Sequence, residues 1–178
     1  MRKTVPSEKR NATDAEEELL STVTITSPIG KLVLVADSNA LIGVYFDGMK
    51  HVPKDRATWR EDSEHPILAK AAFQLEEYFA GKRKVFSLPL RFAGTEFQRR
   101  IWQEISRIPV GETIHYGELA RRSGDPEAIR AAGTATGRNP IAIVVPCHRV
   151  VGKHGDLCGF AGGLERKRYL LALEKARL

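Results

Sequence analysis

Cysteine is nearly absent from this chain: of 178 residues only Cys147 and Cys158 are cysteines, and the first 146 residues contain none. Neither belongs to a Cys-x-x-Cys pair, so a structural zinc cluster built on thiolates is excluded. One pair of cysteines also cannot provide the disulfide framework of a small secreted domain. We therefore expect reduced thiols, no bound metal and an intracellular protein.

Long apolar runs are missing as well. No stretch approaches the ~18 apolar residues of a membrane span, and the charged beginning of the sequence has no apolar core of signal-peptide length. The sequence therefore predicts a soluble, cytoplasmic protein without a membrane partner.

The net charge of +6 is carried by the second half of the chain. Residues 1–90 hold 13 Lys+Arg against 13 Asp+Glu, whereas residues 91–178 hold 15 against 9. A basic excess attracts phosphates, so the second half is the part that favours nucleic acid. Charge alone is weak evidence, because many basic proteins bind no nucleic acid.

The first half predicts a small α+β unit. Residues 1–20 are polar and aperiodic and are expected to form a disordered tail, with a frayed helical piece around Ala15 to Leu20. The runs TVTITS, KLVLVAD and ALIGVYF are rich in β-branched and apolar residues and predict an antiparallel meander. The segment PILAKAAFQLEEYF predicts a helix that ends near Gly81. Its expected buried stripe is Leu68, Ala72, Leu75 and Phe79.

The second half predicts mainly helices. Thr95 is a candidate cap for GTEFQRRIWQEISRIP, whose apolar face would be Phe97, Ile101, Ile105 and Ile108. IHYGELARRSG and PEAIRAAGTATGRN then predict two short helices joined at a glycine, the helix-turn-helix pattern, although such corners are common in ordinary bundles too. GGLERKRYLLALEKAR predicts a last helix. The predicted fold is thus α/β (α+β): a sheet-plus-helix domain at 21–92, then a mostly helical domain with a winged helix-turn-helix-like unit at 93–178.

The stretch VVPCHRVV places Cys147 and His148 side by side within an apolar segment. A structural, buried cysteine is one interpretation, since cysteine is among the most buried residue types. The adjacent imidazole favours a reactive thiol, because a base or a positive charge lowers the pKa of a thiol. Pro146 ends any strand before it, so Cys147 is expected to begin a turn.

Glu174 lies on the core-facing stripe of the last helix, three and four residues after Leu171 and Leu170. A buried carboxylate needs a partner, and His148 is the natural one. Carboxylate, imidazole and thiol would then repeat the logic of a hydrolytic triad. A frayed, solvated helix end is the other interpretation of Glu174. In an extended strand His148 could not reach Cys147, so a turn or a water would have to connect them.

Other polar residues are interpreted more simply. Cys158 lies in a glycine-bounded loop without an adjacent base and is expected to be a bystander. The remaining histidines are scattered without the spacing of metal ligands. The triplet Arg166, Lys167 and Arg168 is expected to be a solvated helix face.

Five segments in order, FQRRIW, IPVGETIHYGELA, RAAG, RNPIAIVVPCHRVV and GFAGGLERKRYLLALE, resemble the O6-alkylguanine-DNA alkyltransferases. The resemblance covers residues 94 to 174 and is carried above all by PCHRV with the downstream GGL and Glu174. The first 90 residues resemble the family only in length and strand content.

This resemblance implies direct reversal of DNA damage, in which one alkyl group passes from O6 of guanine to Cys147. His148 would act on the thiol through a water, and Glu174 would orient His148. Asn139 would brace the turn that carries the cysteine. Tyr116 would donate to guanine N3 and crowd the adjacent phosphate while the base is flipped out.

The resemblance also implies a DNA surface and a base pocket. Arg130 would fill the place of the flipped base, and small residues at Ala128, Ala131, Ala132 and Gly133 would let the second helix approach the minor groove. Implied DNA contacts are Tyr116, Gly117, Asp125, Arg130 and Lys153. The implied pocket lining is Val150, Gly159, Phe160 and Ala161.

The implied partner is double-stranded DNA that contains O6-alkylguanine, bound by a monomer or by molecules clustered on DNA, with no cofactor and no metal. The sequence leaves open whether O4-alkylthymine is also accepted. Three other functions fit parts of the sequence: a damage sensor without transfer, a cysteine hydrolase and a sequence-specific helix-turn-helix regulator. Cys147 argues against the first, and turnover or sequence preference would identify the others.

Overall fold

The computed structural model describes residues 19–175. The predicted tail and its helical piece fall outside the described residues, except for Leu19 and Leu20, which precede the first strand. No helix among the described residues is long and apolar enough to cross a membrane.

A four-stranded sheet occupies the first half of the chain. Its strands are β1 (Ser21–Ser27), β2 (Gly30–Ala36), β3 (Leu41–Phe46) and the short β4 (Arg60–Glu61). The order is β3-β2-β1-β4, with antiparallel pairing within the meander and parallel pairing of β4 with β1. The predicted meander is therefore confirmed. Gly30 makes the first hairpin possible, because it adopts φ +106° beside its partner Ser27.

The predicted helix is present as α1 (Pro66–Phe79); it packs across β1 and β2, and the face it buries is rotated from the predicted one. Its buried apolar residues are Leu68, Ala71, Leu75 and Tyr78, whereas Ala72 and Phe79 are only partly buried. The predicted stripe was therefore wrong at two positions. Both sets alternate steps of three and four, so spacing alone could not decide between them, and packing on the sheet turned Ala71 and Tyr78 inward in place of Ala72 and Phe79. The shift matters because it brings Tyr78 into the core.

In the described residues of the second half, six α-helices and strands follow a linker that contains one isolated bridge, from Leu90 to Leu41. They are α2 (Glu96–Ser106), β5 (Ile114–His115), α3 (Tyr116–Arg122), α4 (Ile129–Gly137) and β6 (Val150–Val151), and α5 (Leu164–Lys175) is the last described helix. Strands β5 and β6 form a small parallel pair.

The beginning of α2 is encoded locally. Thr95 Oγ1 accepts from the backbone of Gln98, and the Gln98 side chain accepts from the backbone of Thr95, which is a capping box. Ile101, Ile105 and Ile108 are buried as predicted. Trp102, which the predicted stripe omitted, is buried too.

The predicted helix-turn-helix is formed by α3 and α4, which pack on each other and on α2. Gly124, at φ +92°, lies in the turn between them. The second helix begins at Ile129 and not at Pro126, because residues Pro126 and Glu127 are still part of the turn. This mixed α/β architecture agrees with the predicted fold class.

One continuous core joins the two halves. The edge strand β3 pairs with the segment that precedes the cysteine: Val44 N donates to Pro140 O at 2.9 Å, and Ala142 N donates to Val44 O at 3.1 Å. The sheet therefore supports the chain that leads to Cys147. Before Pro146 the chain is not a regular strand, since Ile143 has φ 71°, a rare conformation for a β-branched residue.

Candidate active site

Cys147 begins a short 3-10 turn, Cys147–Arg149, directly after Pro146, so the predicted turn is present. Only 4% of the residue surface is exposed. Burial raises the pKa of the thiol, and the Asn139 amide and the positive charge of Lys167 only partly oppose it. The expectation that the surroundings would lower this pKa was therefore wrong, because desolvation of the thiolate outweighs its favourable neighbours. The resting group is a thiol.

Asn139 braces the chain around Cys147. Its Nδ2 donates to Val145 O at 2.8 Å and to Cys147 Sγ at 3.1 Å, and its Oδ1 accepts from Ile141 N at 3.0 Å. The amide is buried, so each of these hydrogen bonds is protected from water. One side chain thus holds the segment before the turn and the sulfur itself.

His148 and Glu174 form a buried pair. Nε2 of His148 lies 2.7 Å from Glu174 Oε1, and both residues are fully buried. An ionised carboxylate can only accept, so Nε2 carries the proton and Nδ1 has a free lone pair. Nδ1 is buried and has no hydrogen-bond partner among residues 19–175. Burial lowers the pKa of His148, although Glu174 acts in the opposite direction, and the imidazole is neutral at rest.

Glu174 has further partners that the sequence did not reveal. Arg149 donates to it twice, from Nε at 2.9 Å and from Nη2 at 2.8 Å, and Tyr78 Oη donates at 2.7 Å. Burial raises the pKa of the carboxyl, but the hydrogen bonds from His148 and Arg149 outweigh burial and hold the pKa below its ordinary value. The interpretation of Glu174 as a solvated helix end is therefore wrong.

Arg149 is itself fixed, since its Nη1 donates to the carbonyl of Ile108. A guanidinium in an apolar stretch was a visible signal in the sequence, and it could have been assigned to the carboxylate that also pairs with the histidine. Tyr78 gave no such signal, because it comes from a helix in the other half of the chain.

Lys167 and Arg166 contradict the predicted solvated face of α5; of the triplet only Arg168 is exposed. Lys167 is fully buried, and its Nζ donates to Val150 O at 2.6 Å and to Cys158 O at 2.9 Å. It thereby connects the strand after the cysteine turn to the loop predicted to line a pocket. Arg166 is partly buried and binds three backbone carbonyls.

The predicted pocket residues differ in how exposed they are. Val150 is buried, Phe160 and Ala161 are partly buried, and Gly159 is exposed. Tyr116, at the start of α3, is partly buried; burial and then the nearby Cys158 and Cys147 raise its pKa to about 12. Its hydroxyl therefore remains protonated at neutral pH and can donate.

The residues predicted to bind DNA lie at the surface of the helix-turn-helix and of the loop after β6. Arg130, Asp125 and Lys153 are exposed, and Gly117 is partly exposed. On α4, Ala131 is exposed. A Cβ added at Gly133 would lie 3.7 Å from Tyr116 Cδ1, an ordinary van der Waals contact. Ala132 is fully buried and belongs to the core, so it was wrongly included among the small residues facing DNA. Residues 19–175 contain no group of three or more metal-binding side chains.

Fold and site together define a helix-turn-helix protein that holds a buried thiol beside an imidazole and carboxylate pair. Two family models match the chain: the ribonuclease-like domain of 6-O-methylguanine DNA methyltransferase at residues 21–92 and the DNA binding domain of the same family at residues 96–176. The chain belongs to the 6-O-methylguanine DNA methyltransferase family. The resemblance noted in the sequence is therefore confirmed.

Individual relatives agree with this assignment. The chain is 44% identical over 150 residues to a methylated-DNA–protein-cysteine methyltransferase of Haemophilus influenzae, covering 84% of this chain and 83% of that protein. It is 48% identical over 149 residues to the protein of the same name from Mycobacterium leprae, covering 84% and 88%. The crystal structure of Mycobacterium tuberculosis O6-methylguanine methyltransferase matches with a TM-score of 0.82 and 44% identity, over 90% of this chain and 95% of that one. A structure of Mycobacterium tuberculosis OGT in complex with DNA matches with a TM-score of 0.80 and 44% identity, over 89% and 93%.

Proposed function

We propose that this protein repairs DNA by direct reversal: it transfers one alkyl group, methyl in the simplest case, from O6 of guanine to Cys147 and keeps it. The observation that carries the proposal is the buried pair of His148 and Glu174 next to a thiol held by Asn139. Relatives named methylated-DNA–protein-cysteine methyltransferase support it across most of the chain. The acceptor is the protein's own sulfur, so each molecule acts once and no cofactor takes part.

Proton transfer has to accompany attack, because burial keeps Cys147 in the thiol form. The proton of Sγ passes through a water to Nδ1 of His148, and the negative charge of Glu174 stabilises the resulting imidazolium. Sγ then forms a bond to the alkyl carbon as the bond from that carbon to O6 breaks, with the electron pair going to guanine. The imidazolium returns the proton, so neutral guanine leaves and Cys147 becomes a thioether.

Tyr116 and the pocket loop act on the leaving base. The Tyr116 hydroxyl, protonated at neutral pH, donates to guanine N3 and so favours departure of the base. Ala161 offers only its backbone N–H to O6, while Val150, Gly159 and Phe160 complete the lining. O4-alkylthymine is proposed as a second substrate of the same pocket.

DNA is bound by the helix-turn-helix, with α4 in the minor groove. Base flipping costs a few kcal/mol and is least costly for a weakly paired lesion. The exposed Arg130 enters the stack and offsets this cost. Gly117, Asp125 and Lys153 contact the DNA around the lesion. We assign this binding and the acceptor cysteine to residues 93–178, with residues 21–92 as the supporting domain that shares its core.

The protein is proposed to act as a monomer at the DNA in the cytoplasm, with neighbouring molecules able to cluster along the duplex. Phosphate contacts dominate such sequence-independent binding, so affinity should fall steeply with salt.

The deciding experiment is intact mass spectrometry after mixing with duplex DNA that contains O6-methylguanine. We expect one added methyl group per protein, mapped to Cys147. Cys147→Ala should take up none, and Cys158→Ala should take up one. Repeated turnover would indicate a hydrolase, and binding without mass gain would indicate a damage sensor; either outcome overturns the proposal.

A further inference from the structure

Arg166 connects three parts of the chain that are far apart in sequence. Its Nε donates to Ile29 O at 2.9 Å, and its Nη1 donates to Gly162 O at 2.9 Å and to Asp47 O at 3.4 Å. Ile29 lies in the turn between β1 and β2, Asp47 follows β3, and Gly162 belongs to the loop before α5. One guanidinium therefore bonds the first-half sheet to the loop that is proposed to line the base pocket.

Phe46 adds a second connection at the same place. The guanidinium carbon of Arg166 lies 5.0 Å from the centre of the Phe46 ring, a cation–π contact, and Phe46 is 1% exposed. The ring also meets Phe160 edge-on, with centroids 5.8 Å apart and planes at 62°. Phe160 thus rests on a side chain of β3.

The loop backbone lies directly on this ring. A Cβ added at Gly162 would come within 2.5 Å of Phe46 Cδ2, closer than real Cβ atoms approach. Gly162 therefore has no side chain for a steric reason that originates in the sheet. The segment from Gly159 to Gly163 has no regular secondary structure and contains three glycines, so outside contacts have to determine its conformation.

We propose that Arg166 and Phe46 are positioning residues for the alkyl transfer: through them the first-half sheet sets the pocket loop at Phe160 and Gly162 against Cys147. This inference rests on the proposed function and adds a role for the first half of the chain. Lys167, the next residue of α5, holds the other end of the loop at Cys158 O, so consecutive residues hold both ends. Neither Arg166 nor Phe46 contacts the reacting atoms; each acts through the loop.

The test is single-turnover methyl transfer from duplex O6-methylguanine by full-length Arg166→Ala. Its control is Arg168→Ala, which removes the same charge from an exposed position of the same helix. We expect Arg166→Ala to take up one methyl group per protein with a rate constant about tenfold lower, because small misplacements of a bound substrate slow attack. Affinity for undamaged duplex, in which no base enters the pocket, should equal that of Arg168→Ala.

Two further variants separate positioning from folding. Arg166→Lys keeps the cation over Phe46 but loses the forked donors, and it should restore part of the rate. Phe46→Leu should slow transfer as Arg166→Ala does, and the double variant should be no slower than the slower single one, since both act through one connection. A fold defect would instead reduce the number of methyl groups taken up and leave the rate constant unchanged.

Equal rate constants for Arg166→Ala and Arg168→Ala overturn the inference alone, provided that the unaltered protein transfers its methyl group. Fewer methyl groups per protein at an unchanged rate constant also overturn it. An unaltered protein that takes up no methyl group overturns the proposed function and this inference together.

Discussion

Nε2 of His148 lies 2.7 Å from Oε1 of Glu174, and the same oxygen also accepts from Arg149 and Tyr78. Three donors on one buried oxygen keep the carboxylate ionised and fix the imidazole with its free nitrogen, Nδ1, unprotonated. The proposed chemistry of this pair and its contribution to stability can be measured apart.

Replacing Glu174 with Gln should slow transfer at neutral pH by about 10²-fold, because the imidazolium formed at His148 loses its counter-charge. Arg149 would remain buried without a carboxylate, so unfolding free energy should also fall, by about 3 kcal/mol. Single-turnover rates and urea unfolding measure the two effects, and DNA affinity should be retained. Glu165→Gln, at an exposed position of α5, is the control. An unchanged rate would remove Glu174 from the mechanism.

Acid should destabilise the protein in two stages. Burial lowers the folded pKa of His148 below 6.5, so below that pH the unfolded chain binds a proton that the folded one refuses. As the pH falls, His148 therefore lowers the free energy of unfolding by at most about 1.4 kcal/mol per pH unit. Below pH 4.5 the unfolded chain also protonates Glu174, whereas the folded chain, in which the pKa of this carboxyl is depressed, does not, so further stability is lost. Urea midpoints from pH 8 to 5 should lose this slope in His148→Gln and keep it in His154→Gln, which alters an exposed histidine. An identical slope in both variants would argue against a buried, neutral His148.

Iodoacetamide should modify Cys158 about tenfold faster than Cys147 in the folded protein without DNA, because only a thiolate that the reagent can reach reacts. Cys158 is exposed, whereas Cys147 is buried and its pKa is raised by that burial. Peptide mapping over time gives both rates, and in urea the two cysteines should react alike. Faster labelling of Cys147 in the folded state would mean that its thiolate is favoured after all.

Arg130→Ala should repair duplex DNA at least about tenfold more slowly and yet react normally with free O6-alkylguanine, since a free base needs no flipping. Transfer rates on the two substrates make the comparison, with Arg168→Ala as a control for the lost charge. Equal losses on both substrates would exclude Arg130 as the residue that replaces the flipped base.

Features that depend on neighbours in sequence were predictable. The capping box of Thr95 and Gln98, the glycine turn at Gly124 and the turn after Pro146 each need only a few adjacent residues. The meander and the helix-turn-helix follow from hydrophobic spacing, and Glu174 could be matched to His148 because a buried carboxylate needs a donor. Helix α1 shows the limit: periodicity predicted its existence but placed two residues on the wrong face.

The sequence by itself determined the elements, the family and the identity of the thiol, imidazole and carboxylate, because all are written in local patterns and in one short motif. The tertiary structure decided how those groups behave. Tyr78 reaches Glu174 across 96 positions and Arg149 across 25, and Arg166 meets Ile29 across 137. Burial, which depends on the whole packed core, reversed the expected direction of the Cys147 pKa. Desolvation and the contacts of Tyr78 and Arg166 arise only when distant segments pack, so no local pattern could have revealed them.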